Sequence, residues 1–501
     1  MLVEDRRLVA LVAAVVGASS LGAEIAAARL LAPWFGASTI VWANTIATVL
    51  VALSGGYWLG GRLADRDPTF RGLCRLVLVA ALLMAAVPFV AGPFLRVSVD
   101  ALDSVQAGAF VGSLLAVLVL IAAPVLVLGC VAPYAVRLSV HSLDEAGRIA
   151  GRLYAISTLG SLAGVFLSAL VLIPFLGTRR TFLVFALSLG LVAALGLRRR
   201  AGALAPVLVL LLIALPTGAV KATTDGRVIW ESETGYQYAR VVQDDDGERR
   251  LELNEGQAVH SVYTPGRWLT GNYWDEPLVL PFAARAVGPR SIAILGSAAG
   301  TVVRSYGHFL PRTRIDAVEI DPRLTEVGRK LLDLHAPHLR THAADARPWL
   351  RATTRRFDVI YVDAYRQPYI PFYLATKEFF ALARSRLNPG GAVIVNVGHP
   401  EQSPRLEQVL SATMGSVFAH VARDPAQAVN TQLVAADVPL SAARLRSAAD
   451  RMDPALASVA RAAAERLAPA LRGGRVYTDD VAPVEWLIDA SIVQVAAEGE
   501  R

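Results

Sequence analysis

Cysteine is nearly absent: the 501 residues hold two, Cys74 and Cys130, both in apolar segments and without metal-ligand spacing. That excludes a disulfide framework and a thiolate metal site, and no metal is expected anywhere in the chain. Charge is scarce as well, at 18% of residues, where ordinary soluble domains carry about a quarter. A basic stripe is missing too. The net charge of +7 comes from arginines scattered over helix ends and loops, so the footprint of a nucleic-acid binder is excluded.

What is present in excess is apolar residues, 54% of the chain with a mean hydropathy of +0.45. They are concentrated in one half. Spanning about 30 Å of hydrocarbon takes about 20 helical residues, and apolar stretches of that order lie near 8–32, 39–61, 73–95, 107–136, 150–176, 180–197 and 203–220. About seven spans are therefore expected. Arg6-Arg7 and the apolar run behind them read as a first span rather than a signal peptide, because further long runs follow. Arginine-rich breaks at 62–75, 137–152 and 198–200 read as loops at the bilayer edge. The lipid bilayer is thus an expected partner, and the localisation expected is the cell membrane, multi-pass.

Glu24 and Arg29 fall inside the first span, where an ionisable group is costly and hints at function. Two readings are open: the pair lines a cavity, or the two satisfy each other with Arg29 snorkelling. Gly55-Gly56, Gly60-Gly61 and Gly160-Ser161 are expected to let helices pack closely.

Past residue 221 the pattern changes. Short alternating segments at 236–242, 250–253 and 258–263, joined by Asp244-Asp245-Asp246-Gly247 and Asn254-Glu255-Gly256, predict a β-hairpin or meander. From residue 291, apolar strands at 292–295, 315–320, 357–362 and 392–397 alternate with helical sequence, the pattern of a doubly wound parallel sheet. The fold class expected is an α-helical transmembrane bundle plus a Rossmann-like α/β domain preceded by a small β subdomain. Boundaries are placed at 1–221, 222–285 and 286–501.

The first strand runs into Gly296-Ser297-Ala298-Ala299-Gly300, small residues where a ligand approaches backbone closely. Twenty-three residues past Gly296, Glu319 ends the second strand, placed to accept hydrogen bonds from a ribose. Asp345-Ala346 follows the expected third strand and suits the exocyclic amine of adenine. Asp363 ends the fourth strand on the face where ligands bind. A carboxylate there orients an amine nucleophile and takes its proton; the bland alternative is a helix cap or an ion-pair partner. Tyr365, Tyr369 and Tyr373, with Pro368 and Pro371, form a pocket wall or pack into the core.

In order along 225–435, Asn254-Glu255-Gly256-Gln257, Tyr273-Trp274-Asp275-Glu276, the glycine loop, Val318-Glu319-Ile320-Asp321, Asp345-Ala346 and Asp363 resemble the spermidine synthases. Arg29-Leu30-Leu31-Ala32-Pro33-Trp34-Phe35-Gly36 and Gly56-Tyr57-Trp58-Leu59-Gly60-Gly61-Arg62 resemble the bacterial subgroup fused to membrane helices. The resemblance implies aminopropyl transfer from decarboxylated S-adenosylmethionine to a small-molecule amine, with Asp363 catalytic. It implies that Gln257, Gly296, Gly300, Glu319, Asp345 and Ala346 hold the donor, and that Tyr273, Asp275, Glu276, Tyr365 and Arg366 face the acceptor. A homodimer is implied as well.

Two departures from that family bear on the substrates. Ala299 stands where the loop usually carries an aspartate, and Arg366 where a second aspartate holds the far ammonium of a diamine. A guanidinium repels a diammonium, so an acceptor with a carboxylate or phosphate suits the site better than putrescine. Ordinary S-adenosylmethionine with methyl transfer, or a membrane sensor or transporter without turnover, are the alternatives. Because the donor is cytoplasmic, the soluble half is expected in the cytoplasm. Seven crossings from a cytoplasmic N-terminus would place it outside, so 203–220, with Pro206 and Pro216, is expected not to cross.

Overall fold

Long uncharged runs of Ala, Leu and Val offer the backbone no hydrogen-bonding partner but itself in lipid, and they form helices here. The computed structural model describes residues 3–35, 39–105, 109–197, 206–210, 212–213, 226–254, 259–365, 370–399 and 403–488. Two units separate: Met1–Ala222 with Glu233–Tyr238, and Thr223–Ser232 with Ala239–Arg501.

The first unit contains α1 (Val3–Phe35), α2 (Thr39–Arg66), α3 (Phe70–Val105), α4 (Ala109–Leu120), α5 (Ala122–Gly129), α6 (Val131–Ser139), α7 (Leu143–Leu167), α8 (Ile173–Leu176) and α9 (Thr178–Leu197). Among the described residues, six helical stretches are long and apolar enough to cross a membrane: Arg6–Ala32, Val41–Arg66, Phe70–Leu95, Ala122–Ser139, Leu143–Leu176 and Thr178–Leu197. The seventh expected segment, 203–220, is described only at 206–210 and 212–213, which are helical; its remainder lies outside the described residues. The run expected at 107–136 is not one helix, since it is interrupted at Ile121 and Cys130. Pro124 and Pro133 follow those breaks, and each removes an N–H from the ladder.

Glycine sets the helix contacts of this unit. A Cβ on Gly160 or Gly164 of α7 would stand 2.1 Å from the carbonyl oxygens of Ala14 and Ala18 of α1. On Gly56 and Gly60 of α2 it would stand 2.3 Å from the carbonyls of Leu126 and Cys130. These backbones touch because no side chain intervenes. Between α7 and α8 one π-helical turn, Ser168–Leu172, precedes Pro174, which has no N–H to continue the α register. Leu159, Leu162, Phe166, Leu170 and Phe175 stay exposed, an apolar outer surface of the kind that meets lipid. Of the two ionisable groups in the first span, Arg29 donates to the carbonyl of Thr234 at 3.0 Å, within the same unit.

The second unit opens with a four-stranded sheet of β1 (Arg227–Glu233), β2 (Tyr238–Gln243), β3 (Arg249–Leu253) and β4 (Val259–Tyr263), in that order, with β2–β3 and β3–β4 paired antiparallel. The expected meander corresponds to β2–β4, and β1 is an addition that Val228-Ile229-Trp230 signals. The larger sheet has eight strands in the order β12-β10-β11-β9-β8-β5-β6-β7. Here β5 is Ser291–Leu295, β6 Arg314–Glu319, β7 Leu339–Ala343, β8 Phe357–Val362 and β9 Leu387–Gly398, all parallel. Three further strands, β10 (His420–Gln427), β11 (Asn430–Ala436) and β12 (Ala468–Pro469), join antiparallel.

Alternate residues of one strand enter opposite cores. Ile292 and Ile294 of β5 and Val359 and Tyr361 of β8 pack on one face, while Ala293, Leu295, Ile360 and Val362 pack on the other. Strands covered on both faces read as continuous apolar runs, which is why the four parallel strands at 292–397 are visible in sequence. The chain starts at β5 and winds outward in both directions, to β6 and to β8. That reversal opens a crevice at the carboxyl ends of β5 and β8.

Candidate functional site

The turn out of β5 takes two glycines in the left-handed region, Gly296 at φ +86° and Gly300 at φ +96°, and one strained alanine, Ala298 at φ +44°. Gly300 caps the helix Thr301–Phe309 and lets Leu334 approach to 2.2 Å of the place a Cβ would take. The small β sheet supports this loop from above. Ser261 accepts from the Ala299 amide at 3.0 Å, and Thr301 Oγ1 accepts from the Val262 amide at 2.8 Å.

At the end of β6, Glu319 is buried and accepts from the amides of Ala298 (2.8 Å) and Asp321 (3.0 Å). Burial pushes its carboxyl up to about 7. Asp321 caps the helix Pro322–Leu331, and Asp345 after β7 caps Ala346–Ala352. Asp345 also accepts from the Tyr373 hydroxyl at 2.6 Å. Three neighbouring strands therefore end in a carboxylate or a tight loop.

Asp363 follows β8. Its Oδ1 accepts from Asn396 Nδ2 at 2.8 Å and its Oδ2 from the Tyr361 hydroxyl at 3.0 Å, with Trp274 as a further donor. Burial raises the carboxyl to about 6 against those three donors. Among the described residues no helix starts at Asp363 and no ion pair involves it. Tyr273 packs beside Trp274 at 4.5 Å between ring centroids, and burial and the nearby Asp363 charge raise its phenol. Tyr365 has its hydroxyl committed to β9, accepting from the Gly398 amide at 2.7 Å and donating to the Asn396 carbonyl at 2.8 Å.

These groups surround a cavity of about 580 Å3 lined by Gly296, Ser297, Tyr273, Trp274, Asp363 and Asn396 among others. Of the residues expected to contact ligand, Gly296, Tyr273, Asp363 and Tyr365 line it, whereas Gly300, Glu319, Asp345, Ala346, Asp275 and Glu276 do not. Asp275 is taken up by its own turn, accepting from Thr270 and Gly271 amides at 2.7–3.0 Å. Glu276 pairs with Arg466 at 2.9 Å, and Arg466 also holds Asp424 at 2.6 Å. Both acids are held by protein partners in this arrangement. Gln257 and Arg366 lie outside the described residues. Sequence reasoning missed Asn396, His260 and Asn430 on the cavity wall. A polar Asn396 inside Val393–Val397, in an otherwise apolar strand, is the signal that marks one of them.

Residues 279–432 match the family model described as Spermine/spermidine synthase domain. Over that segment the chain is similar to the spermine/spermidine synthases. A probable polyamine aminopropyl transferase from Bifidobacterium longum (strain NCC 2705) is 35% identical over 192 residues, 38% of this chain and 42% of its own length. A polyamine aminopropyltransferase from Corynebacterium efficiens is 29% identical over 305 residues, 54% of this chain and 56% of its own. A solved probable spermidine synthase from Corynebacterium glutamicum ATCC 13032 is 22% identical with a TM-score of 0.38, over 50% of this chain and 98% of that one. The chain spans about half the length of the curated relatives it matches. Within the matched segment fall β5 to β9, the glycine loop, Asp363 and Asn396; the β1–β4 sheet that supplies Ser261 precedes it.

Proposed function

We propose that the second unit is an aminopropyltransferase that moves the aminopropyl group of decarboxylated S-adenosylmethionine to an amine acceptor in polyamine biosynthesis. The observation that carries this is the placement of Asp363, a raised carboxyl held by Asn396, Tyr361 and Trp274, beside the Gly296 loop in one cavity. The residues suit the donor. Gly296 lines the cavity, and Glu319 and Asp345, though set back from its wall, follow the two adjacent strands on the side where open α/β sheets hold a nucleoside.

In the transfer, the amine nitrogen attacks the methylene carbon next to the sulfonium. The C–N bond forms as the C–S bond breaks, and the electron pair stays on sulfur to give neutral methylthioadenosine. Asp363 orients the amine and takes the proton the new ammonium must lose. Tyr273 and Trp274 wall the path and exclude water, and Gln257 and Arg366 are assigned to the donor and the acceptor from the sequence alone.

The helical unit is proposed to hold the protein in the cell membrane. Six crossings from a cytoplasmic Arg6-Arg7 leave the arginine-rich stretches 62–75, 137–152 and 198–200 all on the cytoplasmic side. They return the chain to the side where the donor is made. Cysteine accessibility at the Asp244–Gly247 turn in intact cells tests this; labelling from outside rejects it.

Purified protein incubated with each radiolabelled donor and a polyamine mixture tests the chemistry. Methylthioadenosine release is expected. S-adenosylhomocysteine would assign methyl transfer instead, and release of neither would leave a binding protein without turnover.

A further inference from the structure

Apolar strands carry amides at a cost, and β9 and β11 carry two that face each other. Asn396 and Gln432 are register partners across the antiparallel β9–β11 pair, and both are fully buried. Gln432 Nε2 donates to Asn396 Oδ1 at 3.0 Å, and Asn430 Nδ2 donates to the same oxygen at 3.0 Å. Asn396 Nδ2 then donates to Asp363 Oδ1 at 2.8 Å. The chain of bonds runs across three strands, from β11 through β9 to the end of β8, and it stops at a group that only accepts when ionised.

That terminus fixes the direction of every amide in the row. Turning Asn396 over would set its carbonyl oxygen against the Asp363 carboxylate and its NH2 against two other NH2 groups. Both Asp363 oxygens are then anchored, Oδ1 by Asn396 and Oδ2 by Tyr361, so rotation about the carboxyl bond breaks one contact at least. Burying an unpaired amide group is costly, and Gln432 Oε1 has no partner among the described residues. A valine or leucine at 432 would avoid that loss in a strand whose neighbours are Leu433 and Val434. The bond the amide makes toward Asn396 offsets part of that cost.

We propose that Asn396, oriented by Gln432 and Asn430, is a positioning residue that holds the Asp363 carboxylate in its reactive direction. The inference rests on Asp363 being the catalytic acid of the proposed transfer. Asn396 lines the cavity yet acts through Asp363, so the expected effect falls on the chemical step. Misplacing a reacting group by about an ångström costs on the order of a hundredfold in rate.

The test uses full-length protein in detergent and reads methylthioadenosine release. Asn396→Ala is expected to lower kcat by roughly ten- to a hundredfold with the KM of donor and amine near wild type. Asn396→Gln, which keeps an amide donor, is expected to recover part of the loss, and Gln432→Leu to show a smaller fall of the same kind. A folded Asn396→Ala protein with wild-type kcat, or a loss confined to KM, overturns the proposal. Should Asn396→Ala fail to fold, Gln432→Leu decides, and wild-type kcat there overturns it equally. Asp363→Asn separates the two claims: if it keeps turnover the catalytic reading falls, and if it abolishes turnover while Asn396→Ala does not, only the positioning role falls.

Discussion

Gly296 and Asp363 occupy adjacent strand ends so close that a Cβ on the glycine would lie 2.5 Å from the aspartate's carbonyl oxygen. The Asp363 amide donates to Leu295 at 2.9 Å and closes the crevice floor. Gly296→Ala therefore meets two obstacles, a φ of +86° and a backbone collision. We expect thermal stability to fall modestly and kcat/KM to fall by about a hundredfold or more, because the loop and the acid move apart. Melting curves and initial rates on the same preparation check both.

Asp363 gives a pH prediction with a definite sign. Its folded pKa of about 6 exceeds the unfolded value near 3.9, so ionisation costs the fold stability as pH rises between those values. Activity runs the other way, since the base must be ionised. We expect kcat/KM to fall with unit slope below about pH 6. Asp363→Asn is expected to abolish turnover and, above pH 6, to stabilise the chain by roughly 1–2 kcal/mol, the group being partly reached by solvent through the cavity. A variant both inactive and destabilised at pH 8 contradicts the second half.

Four of the five parallel strands were legible because each is a short apolar run ended by glycine or acid, and the candidate site followed from which residues end them; β7, Leu-Arg-Thr-His-Ala and half-exposed, carries no such run. Asp363 could be found that way. Asn396 and Gln432 could not be assigned from spacing, because their role arises from register across β9 and β11, and β11 comes from outside the alternating pattern. Asp275 and Glu276 read equally well as substrate ligands in a linear motif. Only the fold shows that Thr270 and Gly271 take one carboxylate and Arg466, 190 residues on, takes the other.

Arg466 stands between two buried acids, Glu276 at 2.9 Å and Asp424 at 2.6 Å. Burial first, then the Asp424 charge, raises Glu276 to about 7 despite the guanidinium. Arg466→Met leaves two carboxylates without their cation, and breaking such a pair costs about 3–5 kcal/mol. The loss is expected to shrink on acidification below pH 7, where Glu276 takes up a proton. Denaturant titrations at pH 5.5 and 8 measure the difference; equal losses at both would show that packing, not charge, sets the effect.

Gly160 and Gly164 of α7 differ from Gly147 and Gly151 of the same helix in what a side chain would meet. The first two would strike the Ala14 and Ala18 carbonyls at 2.1 Å, and the last two would enter open space. Helix propensity alone favours alanine over glycine by about 1 kcal/mol at any of them. Gly147→Ala is thus expected to raise or leave unchanged the melting temperature of the detergent-solubilised protein. Gly164→Leu is expected to lower it sharply, because α1 and α7 can no longer meet backbone to backbone and the lost dispersion has no hydrophobic compensation in lipid. Since the two substitutions fall on one helix, a pair of equal effects would mean that helix formation rather than the α1–α7 contact limits the stability of this unit.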